Sequence, residues 1–307
     1  MPKVTLGETT TTRNGGTSFM PEISPRFAGL FVLSITVLSL LLHLHGIRRD
    51  LPYTPEVDEP SHVEPALRMA TSGDLNPRRF GNPGFTVIYP LATVYRMRCA
   101  LTTFPFPWEP CPELQELYQT RPGEFYLLGR LLTVLYGVLT VPLVYLIGRR
   151  VFNEAVGIVG AWLFVSYPLA VSHAQMVRTD SAATFFGALS VWLILRLYWQ
   201  PSQSNHIFAG VAIGLAIISR YFMVVLILVL LTVDALVAAR KDQRCNLSGR
   251  RLLVAVSSGL AATAGVLLVY APFYVAAFST VLKDLRHEAR DTLPGADGLS
   301  RIGNFLY

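Results

Sequence analysis

The chain has 307 residues, 52% of them hydrophobic and only 15% charged, with a formal net charge of +6 and a mean hydropathy of +0.43. That balance excludes an ordinary water-soluble domain, whose core needs far fewer uncharged segments. The basic excess calls for no nucleic-acid partner; it reads as an insertion signal and a contact for anionic membrane lipids.

Residues 1–26 are polar and Thr-rich and lack the apolar content to pack, which predicts a disordered, cytoplasmic N-terminus. The first apolar run begins near Phe27, and Leu44 to Arg49 offers no small-residue cleavage site, so it is a retained anchor and not a signal peptide. Apolar runs follow at 128–147, 155–174, 181–199, 206–219, 221–239 and 252–274, giving with 27–47 about seven spans of a bilayer roughly 30 Å thick. The expected fold is all-α, a polytopic transmembrane helical bundle. The boundary between 206–219 and 221–239 is the least marked, because only Ser219-Arg220 interrupts one long run.

Arg149 and Arg150 follow the second span, and Arg240, Lys241, Arg244, Arg250 and Arg251 fill the gap before the last. Placing these basic loops in the cytosol puts residues 48–127 outside as a first extracytoplasmic loop. The Arg178-Asp180 turn, the Ser219-Arg220 turn and the segment 275–307, the start of a later outer loop, fall on the same side.

Within the outer loop, Glu56-Val57-Asp58 opens a helix that Ser72-Gly73-Asp74 closes. Residues 85–101 are apolar but hold Arg96 and Arg98, which would cost roughly 2.5–3.5 kcal/mol each in a spanning helix. An amphipathic helix in the interface is the expectation there. Trp108 suits the headgroup region. Cys99 and Cys111 form a disulfide in an oxidising compartment or remain free, and Cys245 is a bystander.

Acids at the edge of membrane spans mark a shared catalytic or ion-binding site. Two such places stand out on the outer side: the pair Asp58-Glu59, and Asp180 at the mouth of the fourth span. Arg178 and Arg220 are matched to phosphate by guanidinium geometry, with Arg130 and Arg79 as further candidates. The competing roles are helix capping for the acids and snorkelling for the arginines. His62 with Asp58 and Asp180 leaves a divalent-cation site open, although no ligand motif demands one and no metal is assigned. Glu288 belongs to an exposed amphipathic segment, and His43 and His45 are interfacial.

The ordered set of motifs resembles a known family. Asp58-Glu59 after a first span, Ser72-Gly73-Asp74-Leu75-Asn76-Pro77, Gly129-Arg130-Leu131-Leu132-Thr133, Gly148-Arg149-Arg150-Val151-Phe152, Arg178-Thr179-Asp180 and Phe208-Ala209-Gly210 to Ser219-Arg220-Tyr221 occur in order. Pro272-Phe273-Tyr274 and Asn304-Phe305-Leu306-Tyr307 continue the set, so that the likeness runs over residues 27–307. The pattern is similar to that of the GT-C membrane glycosyltransferases, closest to the protein O-mannosyltransferase and aminoarabinose-transferase group of families 39 and 83. The resemblance implies transfer of a hexosyl or pentosyl group from a polyprenyl-phosphate carrier to an acceptor hydroxyl on the outer membrane face. Asp58 would be the base of an inverting displacement, Glu59 would orient a neighbour or hold the acceptor, and Asp180 would be a second carboxylate. Arg178, Arg220 and Arg130 would hold the carrier phosphate. No cofactor is implied beyond the optional divalent cation. The acceptor is a protein, a lipid or a glycan, and the brevity of the motifs favours a bacterial inner membrane.

Two departures stand beside the likeness. Members of the family have several more spans, so the resemblance leads to the expectation of a truncated product or a fragment, and Thr179 stands where Pro often precedes the second acid. The rival functions are a transporter with Asp58, Asp180 and Arg220 lining a polar path, and an inactive fragment or scaffold. Transporters hold their charges near mid-bilayer. Here only Asp234 sits near an inner end, which favours chemistry at the interface.

Overall fold

The structure is a computed structural model that describes residues 24–52, 58–78, 84–103, 110–239 and 249–276, together with 278, 279 and 283. The N-terminal tail before residue 24, Arg79, Trp108, the basic loop with Arg240, Lys241, Arg244 and Cys245, and Glu288 lie outside the described residues. All regular elements among the described residues are helices, as the composition requires.

The first apolar run forms α1 (Pro25–Leu44). The outer segment supplies α2 (Pro60–Ser72), α3 (Phe85–Thr103) and α4 (Glu113–Thr120). The remaining bundle is α5 (Pro122–Val151), α6 (Glu154–Val165), α7 (Pro168–Ala174), α8 (Thr179–Trp199), α9 (Gln203–Ser219), α10 (Val225–Ala239) and α11 (Gly249–Ala276). Among the described residues, five helical stretches are long and apolar enough to span: Arg26–Leu44, Pro122–Val151, Thr179–Trp199, Tyr221–Ala239 and Leu252–Tyr270. The chain is thus a multi-pass membrane protein.

Two of the seven expected spans take a different form. The run 155–174 is not one rod but a pair, α6 and α7, bent by 61°. Pro168 offers no N–H to continue α6 and biases the preceding Tyr167 to extended backbone, found at φ −82°, ψ 109°. The run 206–219 forms the 17-residue α9, short for a bilayer but apolar. It is separate from α10: Arg220 is extended at φ −149°, ψ 127°, and a 3-10 turn over Tyr221–Val224 restarts the helix.

Successive spanning segments along the chain alternate in direction. Ala28 of α1 packs in one cluster with Val141 and Tyr145 of α5, while His43 lies against Gly137. His206 near the start of α9 places Nε2 2.9 Å from Oδ1 of Asp234 near the end of α10. By contrast, α9 and α11 run parallel at very close range: a Cβ on Gly210 would lie 2.0 Å from the Gly259 carbonyl oxygen, and Thr263 Oγ1 donates to the Gly210 carbonyl at 2.9 Å. Small residues at such crossings let backbones touch.

One end of the bundle therefore gathers the end of α1, the starts of α5 and α8 and the end of α9. On it sit α2, α3 and α4. The helix α3 is more than a strap on the surface. Phe85, Val87, Ile88, Leu91 and Tyr95 are fully buried, Phe85 stacks on Tyr270 of α11 at 4.5 Å, and Tyr136 donates to the Thr86 carbonyl at 2.8 Å. The two arginines of α3 have local tasks. Arg96 donates to the Met69 carbonyl at 2.8 Å, at the carbonyl-rich end of α2, and Arg98 pairs with Glu124. Cys99 and Cys111 are joined in a disulfide, and the Cys111 N–H donates to the Ala70 carbonyl, which ties α4 to α2.

Candidate active site

Asp58 stands just ahead of α2. Its carbonyl accepts from Ser61 Oγ and from Nδ1 of His62, the latter at 2.8 Å, which fixes the turn in which its side chain projects. That side chain is 43% exposed and lies 3.3 Å from Nη2 of Arg178. Arg178 is the residue preceding α8, held extended at φ −133°, ψ 156°. Its Nε also donates to Oδ2 of Asp180 at 3.0 Å. Asp180 in turn accepts from Nη2 of Arg220, at 2.8 Å to each carboxylate oxygen.

Asp58, Arg178, Asp180 and Arg220 thus form one continuous chain of alternating charge, drawn from three separate segments. All four side chains are partly exposed at one end of the bundle. The capping role open to Asp180 is not the one observed: no side chain caps α8, and the carboxylate is turned between two guanidinium groups. The Nε of Arg220 is buried with no acceptor among the described residues. That leaves a directed donor at the site.

Asp180 also lines a cavity of about 350 Å³ formed where α6 breaks into α7. Thr140, Tyr167, His173, Ser181 and Thr184 contribute to its wall. These residues were not singled out from the sequence, because nothing local marks them. Pro168 was the one available signal, since a helix break beside a second acid opens a recess.

Glu59 and Arg130 are placed differently from their neighbours. Glu59 is fully buried and Arg130 nearly so. Nε and Nη2 of Arg130 donate to the two oxygens of Glu59 at 2.8 and 2.7 Å, in a forked pair. Nη1 of Arg130 donates to the carbonyls of Ile47 and Arg49, at 2.9 and 2.8 Å, and Glu59 Oε1 accepts from the Val177 N–H at 2.9 Å. The guanidinium expected at a carrier phosphate is thus occupied by protein groups. Glu59 is likewise sealed from any acceptor. One buried ion pair fastens the start of α2, the segment after α1, α5 and the turn before α8. It fixes the backbone beside both Asp58 and Arg178.

Gly84 completes the junction. It has φ +55°, and a Cβ there would lie 2.9 Å from Cδ2 of His62 and 3.1 Å from Cγ2 of Thr179. Only a residue without a side chain lets the start of α3 approach the starts of α2 and α8 so closely. His62 is buried in this contact, with Nδ1 facing the Asp58 carbonyl. Among the described residues, no group of three His, Cys, Asp or Glu side chains is arranged to hold a metal ion.

Residues 127–274 match the family model described as dolichyl-phosphate-mannose-protein mannosyltransferase. No curated protein matches the chain. Among solved structures, the S. cerevisiae protein O-mannosyltransferase Pmt1-Pmt2 complex bound to the sugar donor is similar, with a TM-score of 0.58 and 20% identity. The match covers 85% of this chain and 35% of that one, so the chain spans about a third of the length of that relative. The likeness to GT-C membrane glycosyltransferases drawn from the ordered motifs is borne out, and the fold is of that class.

Proposed function

We propose that this chain transfers a sugar from a polyprenyl-phosphate carrier to an acceptor hydroxyl, at the end of the bundle where Asp58 and Asp180 meet. The observation that carries this reading is the unbroken sequence Asp58–Arg178–Asp180–Arg220, in which Asp180 also lines a cavity. The acceptor oxygen attacks the anomeric carbon and the bond from that carbon to the carrier phosphate oxygen breaks. The phosphate leaves with the electron pair and the configuration inverts. Asp58, the more exposed carboxylate, takes the acceptor proton. Arg220 and Arg178 stabilise the charge that grows on the departing phosphate, and Asp180 holds both guanidinium groups in place. Arg130 and Glu59 set the frame and touch neither substrate.

The description of the matched family favours mannose on a dolichyl-type carrier and a protein hydroxyl as acceptor. The site end faces the extracytoplasmic side and the N-terminus the cytosol, because Arg149, Arg150 and Arg196 lie at the opposite end. A bacterial inner membrane is the proposed location. A divalent cation is not needed for these steps.

The test is Asp58→Asn in membranes supplied with labelled polyprenyl-phosphate mannose. We expect transfer to fall by about 10²–10⁴ with insertion and thermal stability unchanged. Turnover within a few-fold of the parent protein removes Asp58 as the base.

A further inference from the structure

We propose that the end of the bundle opposite the Asp58–Asp180 site binds the phosphodiester headgroup of an anionic membrane lipid. The seat is a pocket of about 370 Å³ lined by Leu146, Arg149, Arg150, Trp192, Arg196 and Gln200. It lies between the last turns of α5 and α8, which run in the same direction. Arg196 is sixteen residues along α8 from Asp180, which at about 1.5 Å per residue puts it roughly 24 Å away. That is close to the hydrocarbon thickness, so the pocket opens at the other membrane surface.

Three guanidinium groups share this pocket, and their partners differ. Arg149 is engaged by Glu154, with Nε 2.7 Å from Oε1. Arg150 and Arg196 have no carboxylate within ion-pair distance among the described residues. Both are instead set over indole rings: Arg150 lies 4.2 Å from the centroid of Trp199 and Arg196 lies 6.0 Å from that of Trp192. A guanidinium attracted by the electron-rich face of an indole keeps its charge and its N–H donors free of carboxylates, which suits phosphate oxygens. With Glu154 counted, the group carries an excess of two positive charges.

A topology signal alone requires basic residues on one side of the membrane. It does not require a concave seat, guanidinium groups from two helices set over indole rings or an apolar wall. Leu146 and Trp192 give this pocket such a wall, suited to the glycerol and first acyl carbons that a lipid brings and a free anion lacks. The pocket uses none of the residues placed in the transfer reaction.

The experiment is lipid titration of the purified full-length protein, read by native mass spectrometry. Phosphatidylglycerol, phosphatidylcholine and inorganic phosphate serve as probes against the parent chain, Arg150→Ala/Arg196→Ala and Arg150→Lys/Arg196→Lys. We expect phosphatidylglycerol to bind at least tenfold more tightly than phosphatidylcholine, and both double variants to lose most of that preference. Equal binding of the two lipids, or an unchanged preference in the alanine variant, overturns the proposal. Full retention in the lysine variant reduces the pocket to a diffuse charge patch and overturns it as well. Displacement of the lipid by inorganic phosphate at equal concentration assigns the site to free phosphate and overturns the lipid. Should the alanine variant fail to fold, the lysine variant and the two-lipid comparison decide the matter.

Discussion

Separating Glu59 from Arg130 tests whether their pairing is the frame of the site. Each single removal, Glu59→Leu or Arg130→Met, strands the other charge in a buried position. In the first case the guanidinium keeps only the Ile47 and Arg49 carbonyls; in the second the carboxylate keeps only the Val177 N–H. Breaking a buried pair by removing one partner costs about 3–5 kcal/mol. The doubly substituted protein has no stranded charge, although the Ile47 and Arg49 carbonyls and the Val177 N–H still lose partners. Its loss should therefore fall short of the sum of the singles by roughly 2 kcal/mol or more. The assay is thermal unfolding of the detergent-purified chain across all four proteins of the cycle. Singles within about 1 kcal/mol of the parent, or a double variant that loses the full sum, would refute a structural pair. A parallel reading of donor KM sharpens the result. A stable Arg130→Lys protein with greatly weakened donor binding would return Arg130 to the carrier phosphate.

Gly84→Ala meets both a left-handed backbone and the ring of His62 at 2.9 Å, so we expect a loss of about 1–3 kcal/mol, read by thermal unfolding, together with reduced transfer, since His62 and Thr179 sit beside Asp58 and Asp180. Unchanged melting would show that the junction gives way freely. Gly210→Val drives a side chain into the Gly259 carbonyl; it should separate α9 from α11 and abolish the Thr263 bond to the Gly210 carbonyl, lowering the yield of folded protein by well over half. Parent-like yield and melting would disprove backbone contact at that crossing.

Much of this protein was legible in its residues because membrane insertion is a local, compositional matter. A segment such as 128–147 or 181–199 must satisfy its backbone within itself in hydrocarbon, so helix follows from apolar length alone. The same logic made Asp58, Asp180, Arg178 and Arg220 conspicuous: a charge at the edge of such a segment is costly enough to need a partner. What remained hidden was which partner. Asp58 and Glu59 are adjacent in sequence, and the rise and turn of one residue leaves the first exposed beside Arg178 and sends the second into a sealed core. Arg130 and Arg178 are similarly alike as letters. One is buried against a carboxylate and two carbonyls, while the other links two exposed acids.

The break at Tyr167–Pro168 lies between these cases. Proline announced a disturbance, but only the packing of α6 and α7 turned it into a cavity beside Asp180. The sequence by itself determined the class of protein, the number and alternation of its apolar segments and the four charged groups at one end. The tertiary structure alone decided the pairing of those charges, the burial of Glu59 with Arg130 and the approach of Gly84 and Gly210 to their neighbours. The reason is physical: hydrophobic length acts segment by segment, whereas the task of a charge depends on distances between helices that are far apart in the chain.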